Sequence, residues 1–108
     1  MLPLRAMEKK KAMVKDRNKI FEEVSEFLKG HGAKKIAVFG SYARGEETPD
    51  SDLDILVEFL DRKSLLDLVG IEMKLSETLN VKVDLLTERA ISPYLIDRIK
   101  NEARVLYG

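Results

Sequence analysis

Residues 35–59 read KIAVFGSYARGEETPDSDLDILVEF, and this stretch decides the fold. Its first part, 35–39, is a short apolar run that stops at Gly40, which is typical of a buried strand. The polar residues 41–51 follow and contain turn-forming glycine and proline, so we interpret them as a loop. Residues 52–59 then alternate between polar and apolar side chains, which predicts a second strand with one buried face.

The segments around these two strands predict helices and a third strand. An apolar stripe over 17–30 indicates an amphipathic helix, and Ser64 begins another with a capping box. Residues 81–87 alternate like a strand, and Ser92 caps a last helix whose apolar stripe runs to Leu106. The order of elements favours an α+β fold with two layers, in which helices pack on one face of a small mixed sheet.

The composition bounds the kinds of function open to the chain. It has 108 residues, which is the length of one domain, and 19 Lys+Arg balance 19 Asp+Glu. It has no cysteine and one histidine, which excludes disulfides, thiolate metal sites and a multi-histidine zinc site. No apolar run approaches the roughly 20 residues that span a bilayer, and no signal peptide is apparent. We therefore expect a cytoplasmic protein without a membrane partner.

The balanced charge hides two regions of opposite sign. Residues 5–19 hold seven basic and two acidic side chains, whereas residues 46–61 hold seven acidic side chains and no basic one. We interpret residues 1–16 as a basic helical segment in front of a single domain over 17–108. Such a run is most often a solvated helix face, and its alternative is a docking patch for an acidic partner or RNA. Of these, a nucleic-acid partner is not expected.

The acidic side chains of the second strand could bind metal. Asp52 and Asp54 are two residues apart, so they point to the same face, about 6.6 Å apart along the strand. Two carboxylates in one space repel each other, and such oxygen ligands suit Mg²⁺ or Mn²⁺. If the third strand lies beside the second, Asp84 adds a carboxylate, and three carboxylates can hold two metal ions about 3.5–4 Å apart. The alternative is that these aspartates are merely the solvent side of an edge strand.

The turn after the first strand could bind phosphate. Gly40 lets the backbone approach a ligand closely, Ser41 adds a hydroxyl, and Arg44 adds a planar cation suited to phosphate. The alternative is an ordinary turn from strand to loop. The spacing excludes a P-loop, because the G-x-x-x-x-G-K-[ST] pattern is absent.

Taken together, the two motifs are more specific than either one alone. The chain resembles the nucleotidyltransferase superfamily typified by DNA polymerase β, through residues 40–45, 51–57 and 83–85. Within it, the sequence is similar to the minimal nucleotidyltransferases, short antitoxin-like proteins often paired with HEPN-domain partners. The resemblance covers about residues 17–106 and implies the nucleotidyltransferase fold.

The resemblance also implies roles for single residues. Asp52 and Asp54 would each bind two Mg²⁺ ions, with Mn²⁺ as an alternative. Asp84 would bind the catalytic metal ion and help deprotonate the attacking hydroxyl. Gly40 and Ser41 would hold the β- and γ-phosphates of a nucleoside triphosphate.

The function that follows from the resemblance is transfer of AMP from ATP to a hydroxyl, with Arg44 stabilising phosphate charge. The acceptor implied is a tyrosine of a HEPN toxin, so the chain would act as an antitoxin. Two alternatives remain: an antitoxin that binds nucleotide but neutralises its partner without catalysis, and a transferase for a small molecule of the aminoglycoside type. The sequence leaves open whether the chain forms a homo-oligomer.

Overall fold

The computed structural model describes residues 16–108, which form a sheet and its flanking helices. Their order is α1 (Arg17–Gly30), β1 (Ala33–Phe39), α2 (Ser41–Arg44), β2 (Leu53–Phe59), α3 (Leu65–Leu79), β3 (Val83–Leu86), a 3-10 turn (Glu88–Ala90), α4 (Pro93–Glu102) and β4 (Arg104–Tyr107). The basic helical segment expected over 1–16 lies, up to residue 15, outside the described residues.

The four strands form one mixed sheet in the order β3-β2-β1-β4. Strand β1 is antiparallel to both β2 and β4, whereas β2 and β3 run parallel. The parallel pair is joined through α3, as a parallel connection requires. The prediction of an α+β fold with a small mixed sheet is confirmed.

Helices α1 and α3 pack on one face of this sheet and bury the core. Their apolar stripes contribute Ile20, Phe21, Val24, Leu28, Ile71, Leu75 and Leu79. The sheet contributes the alternate side chains of β1, β2 and β3 that point toward these helices. The predicted capping box is present, because Ser64 and Asp67 each bond the other's backbone N–H. Within residues 16–108, no helix is long and apolar enough to cross a membrane.

The chain after α4 differs from the prediction. The apolar stripe predicted a helix that includes Ala103 and Leu106, but the helix ends at Glu102 and β4 follows. Strand β4 pairs with β1 and satisfies backbone groups that would otherwise be left open along that edge. Leu106 still packs against the core, now from a strand. The prediction of a helix here was wrong because pairing with the open edge of β1 outweighs the helical periodicity of the local sequence.

The outer edge of β3 is closed by side chains of α3. The Val83 N–H donates to Ser76 Oγ at 3.0 Å, and the Leu85 N–H donates to Glu72 Oε2 at 2.8 Å. These two N–H groups point away from β2 and would otherwise lack a partner in the sheet. Helix α3 therefore fixes the position of β3 through polar contacts as well as apolar packing.

We expect Glu72→Ala to destabilise the fold by about 1–2 kcal/mol, because it leaves the N–H of buried Leu85 without its charged acceptor. Urea denaturation measures this change in the free energy of unfolding. Glu77→Ala, on the exposed side of the same helix, serves as the control and should change stability by less than about 0.5 kcal/mol. Equal stability of the two variants would show that the bond to Leu85 contributes nothing.

Candidate functional site

The candidate site lies where β1 ends and β2 and β3 begin. Phe39, the last residue of β1, is the register partner of Asp54 in β2, and Asp54 is the register partner of Asp84 in β3. Neighbouring strands are about 4.8 Å apart, and residues in register point to the same face. The structure therefore brings Asp54 and Asp84 together, which the sequence alone left conditional on the strand order.

Gly40 follows β1, and its backbone lies directly against the side chain of Asp54. Its φ of 72° and ψ of −152° lie in a region that residues with a side chain rarely adopt. A Cβ atom built on Gly40 would collide with Oδ2 of Asp54. The turn at this point therefore requires glycine for its backbone conformation and for the space that the carboxylate occupies.

The residues after Gly40 form the one-turn helix α2, whereas the sequence predicted a loop from residue 41. Tyr42 is only 5% exposed and packs into the core, which holds the turn against the sheet. Gly45 ends it in the left-handed conformation, with φ of 74°. This burial was not visible in the polar sequence. It fixes the place of Ser41 and Arg44, the other two residues predicted to bind phosphate.

The chain between α2 and β2 is fastened at two points. Arg17 Nε of α1 donates to Glu47 Oε2 at 2.8 Å. Further on, the Thr48 N–H donates to Ser51 Oγ at 2.8 Å, within a turn that leads into Asp52. These contacts set where the chain enters β2 and so where its aspartates lie.

Asp52 lies just before β2 and has no register partner in β3. Its side chain is 40% exposed, and its Oδ2 is 3.9 Å from Nζ of Lys82. Within residues 16–108, no three or more His, Cys, Asp or Glu side chains come close enough together to hold one metal ion. The three-carboxylate metal site thus stays a prediction, with Asp54 and Asp84 side by side at its centre.

The electrostatics of the site favour a cation beside Asp54. Burial raises the pKa of Asp54 above its ordinary value, and the negative charges of Asp84 and Asp52 raise it further. The positive charge of Arg44 opposes this shift, whereas Glu102 adds to it. Because the folded-state pKa is raised, Asp54 stabilises the fold while protonated, and this contribution is lost as the pH rises through that pKa. Crowded carboxylates of this kind fit Mg²⁺, which prefers oxygen ligands.

Glu102, at the end of α4, joins the site although the sequence did not point to it. Its Oε1 accepts the Gly40 N–H at 3.2 Å and lies 3.5 Å from Nη1 of Arg44. Arg44 also donates through Nε to Glu46 at 2.8 Å, and this hydrogen bond is the main cause of its raised pKa. Only the pairing of β4 with β1 brings the end of α4 here, so no local sequence pattern could have identified Glu102.

A glycine turn beside paired aspartates, at one end of a mixed sheet, is the arrangement that the sequence predicted for binding phosphate and metal. The family model described as "Nucleotidyltransferase domain" matches residues 17–106. The chain therefore belongs to the nucleotidyltransferase family, and it is an enzyme of this class.

Individual relatives agree with this assignment. A Methanocaldococcus jannaschii protein with the provisional name of protein adenylyltransferase is 51% identical over 86 residues, which is 80% of this chain and 92% of that protein. A solved structure, provisionally called a minimal nucleotidyltransferase, matches with a TM-score of 0.74 and 38% identity, covering 84% of this chain and 96% of that one. A toxin–antitoxin crystal structure with AMP-PNP matches with a TM-score of 0.75 and 27% identity, covering 82% and 73%. The expected resemblance to minimal nucleotidyltransferases is confirmed.

Proposed function

We propose that this protein transfers AMP from ATP to a tyrosine hydroxyl of a HEPN-domain toxin, in a Mg²⁺-dependent reaction that makes it an antitoxin. The observation that carries the proposal is the pairing of Asp54 with Asp84 on adjacent parallel strands, directly beside the Gly40 turn. The name of the Methanocaldococcus jannaschii relative supports protein adenylylation, and the AMP-PNP complex of a toxin–antitoxin pair supports the nucleotide and the partner.

The proposed reaction is an in-line displacement at the α-phosphorus of ATP. The acceptor oxygen forms a bond to this phosphorus, the bond to the bridging oxygen of the β-phosphate breaks, and pyrophosphate leaves. Asp84 is exposed and can meet a hydroxyl on a large partner, so it takes the proton of the acceptor. Mg²⁺ held by Asp52, Asp54 and Asp84 would polarise the phosphate oxygens and offset their charge. Asp54, half-buried between the other groups, is the fixed centre of this ligand set.

The leaving group belongs at the turn after β1. The Gly40 N–H, the Ser41 hydroxyl and the Arg44 guanidinium can each donate hydrogen bonds to phosphate oxygens. Arg44 lies near enough to Asp54 for its charge to affect the pKa of that carboxyl. Pyrophosphate would therefore be held beside the carboxylates, by donors from the turn after β1.

Label transfer tests the proposal directly. The protein is incubated with α-labelled ATP, Mg²⁺ and a HEPN-domain toxin as the partner, and the label on the partner is measured. We expect labelled partner that is lost when EDTA replaces Mg²⁺ or when the acceptor tyrosine is changed to phenylalanine. Neutralisation of the toxin without any label would instead support the non-catalytic antitoxin, and label on a small molecule alone would support the aminoglycoside-type transferase.

Ligand binding should also stabilise the fold. At about 100 times its Kd, a ligand adds about 2.7 kcal/mol to the free energy of unfolding. For a domain of this size, that corresponds to a rise in Tm of roughly 10 °C with Mg²⁺ and ATP together. Thermal unfolding followed by fluorescence of a bound dye measures it, with ATP plus EDTA as the control. An unchanged Tm at saturating Mg²⁺ and ATP would contradict nucleotide binding.

A further inference from the structure

Glu102 is a charged group in the site that the proposed reaction does not use. It is the last residue of α4, and its side chain is 37% exposed. One oxygen, Oε1, lies 3.2 Å from the Gly40 nitrogen and 3.5 Å from Nη1 of Arg44. A carboxylate oxygen therefore occupies the position between two donors that the proposed function assigns to phosphate.

The carboxylate and a phosphate oxygen cannot both take this position. The N–H of Gly40 has one hydrogen to donate, and in the structure that hydrogen is directed to Glu102. Charge adds to the conflict, since the Glu102 carboxylate and a phosphate group are both negative and would lie against the same Arg44 guanidinium. The geometry thus makes Glu102 and the leaving-group phosphates competitors for the same donors.

We propose that Glu102 is an internal competitor at the phosphate subsite, which a bound triphosphate must displace. This inference rests on the proposed function, because it takes Gly40 and Arg44 as phosphate-binding groups. In the nucleotide-free protein, Glu102 shares the Arg44 guanidinium with Glu46 and accepts the Gly40 N–H. When the triphosphate arrives, it takes over both donors and the side chain of Glu102 turns outward.

The surroundings of Glu102 allow this movement. No residue of α4 is buried, so rotating a side chain at its end opens no gap in the core. Glu102 is also followed by only Ala103 before β4 begins.

The test compares phosphate binding by four proteins with isothermal titration calorimetry. Wild type, Glu102→Gln, Glu102→Ala and Asp97→Asn are titrated with tripolyphosphate and with adenosine, both in the presence of Mg²⁺. Asp97→Asn removes one negative charge from the exposed surface of the same helix and is the control for net charge. We expect both Glu102 variants to bind tripolyphosphate about threefold to tenfold more tightly than wild type and the control. Adenosine carries no phosphate, so its affinity should not change.

The outcomes separate the competition by Glu102 from the proposed function on which it rests. Equal or weaker binding of tripolyphosphate by both Glu102 variants overturns the competition, and weaker binding would make Glu102 a positioning residue for Gly40 and Arg44. If wild type does not bind tripolyphosphate and its Tm is unchanged by Mg²⁺ and ATP, the proposed function itself is contradicted. The nuclear magnetic resonance signal of the Gly40 amide gives a second readout. In Glu102→Ala without ligand, it should move in the direction that tripolyphosphate produces in wild type, and an unmoved signal would contradict the bond.

Discussion

Asp54→Asn is expected to reduce AMP transfer by about 1,000-fold while raising the Tm of the metal-free protein. The loss corresponds to ~4 kcal/mol of transition-state stabilisation, a size that metal-ion catalysis accounts for. The gain in stability has a separate cause. Burial and the charges of Asp84 and Asp52 raise the pKa of Asp54, so its ionised form destabilises the fold at neutral pH. The amide removes that charge while keeping the shape of the side chain.

Glu58→Gln is the matched control for this change. Glu58 lies on the same strand and the same face as Asp54, and it forms a half-exposed ion pair with Lys34 at 3.3 Å. The same chemical change there should leave AMP transfer within about twofold and stability within about 0.5 kcal/mol. Transfer rates from labelled ATP and Tm values are measured for both variants. Full activity of Asp54→Asn would exclude Asp54 from the reaction, and a lowered Tm would show that its charge is compensated.

Gly40→Ala is expected to abolish nucleotide binding and to destabilise the fold by about 3 kcal/mol. The backbone conformation at Gly40 costs a residue with a side chain about 1–3 kcal/mol. In addition, the new methyl group would collide with Oδ2 of Asp54, so the turn or the carboxylate must move. Urea denaturation gives the stability, and calorimetry with Mg²⁺ and ATP at low temperature gives the binding while the variant is still folded.

Gly70→Ala provides the contrast within the same chain. Gly70 lies inside α3, and a Cβ atom there would meet nothing within 4 Å. Alanine is favoured over glycine in a helix, so this variant should gain about 0.5–1 kcal/mol and bind ATP as wild type does. A Gly40→Ala protein that is as stable as wild type and binds ATP normally would show that the turn does not need glycine.

Much of the fold followed from local patterns in the sequence. The alternation after Asp52 and the apolar stripe of 17–30 identified β2 and α1, because each pattern reflects burial of one face. The capping box at Ser64 marked the start of α3 correctly, because its bonds join residues only three positions apart. For the candidate site, the sequence predicted Asp54 and Gly40 by motif, and the structure adds that the two residues lie against each other.

The parts that the sequence missed depend on contacts between distant segments. Strand β4 forms because β1 has a second edge that can pair with it, and the local sequence of residues 104–107 gives no sign of this distant partner. Helix α2 forms just after β1, where the side chain of Tyr42 is buried in the core although the segment around it is polar. Glu102 reaches Gly40 across 62 positions of sequence, so its role depends wholly on the fold.

The side-chain bonds from α3 to the edge of β3 have a consequence for how copies of this protein can meet. Ser76 and Glu72 occupy the outward N–H groups of Val83 and Leu85, so an incoming strand finds no donors there. Among the described residues, β4 pairs only with β1, which leaves its far side as the other end of the sheet. A fibre that grows by edge-to-edge pairing of sheets needs two edge strands on every copy that can each pair with another strand. With the outward donors of β3 occupied, we expect strand addition to be confined to the end of the sheet beside β4.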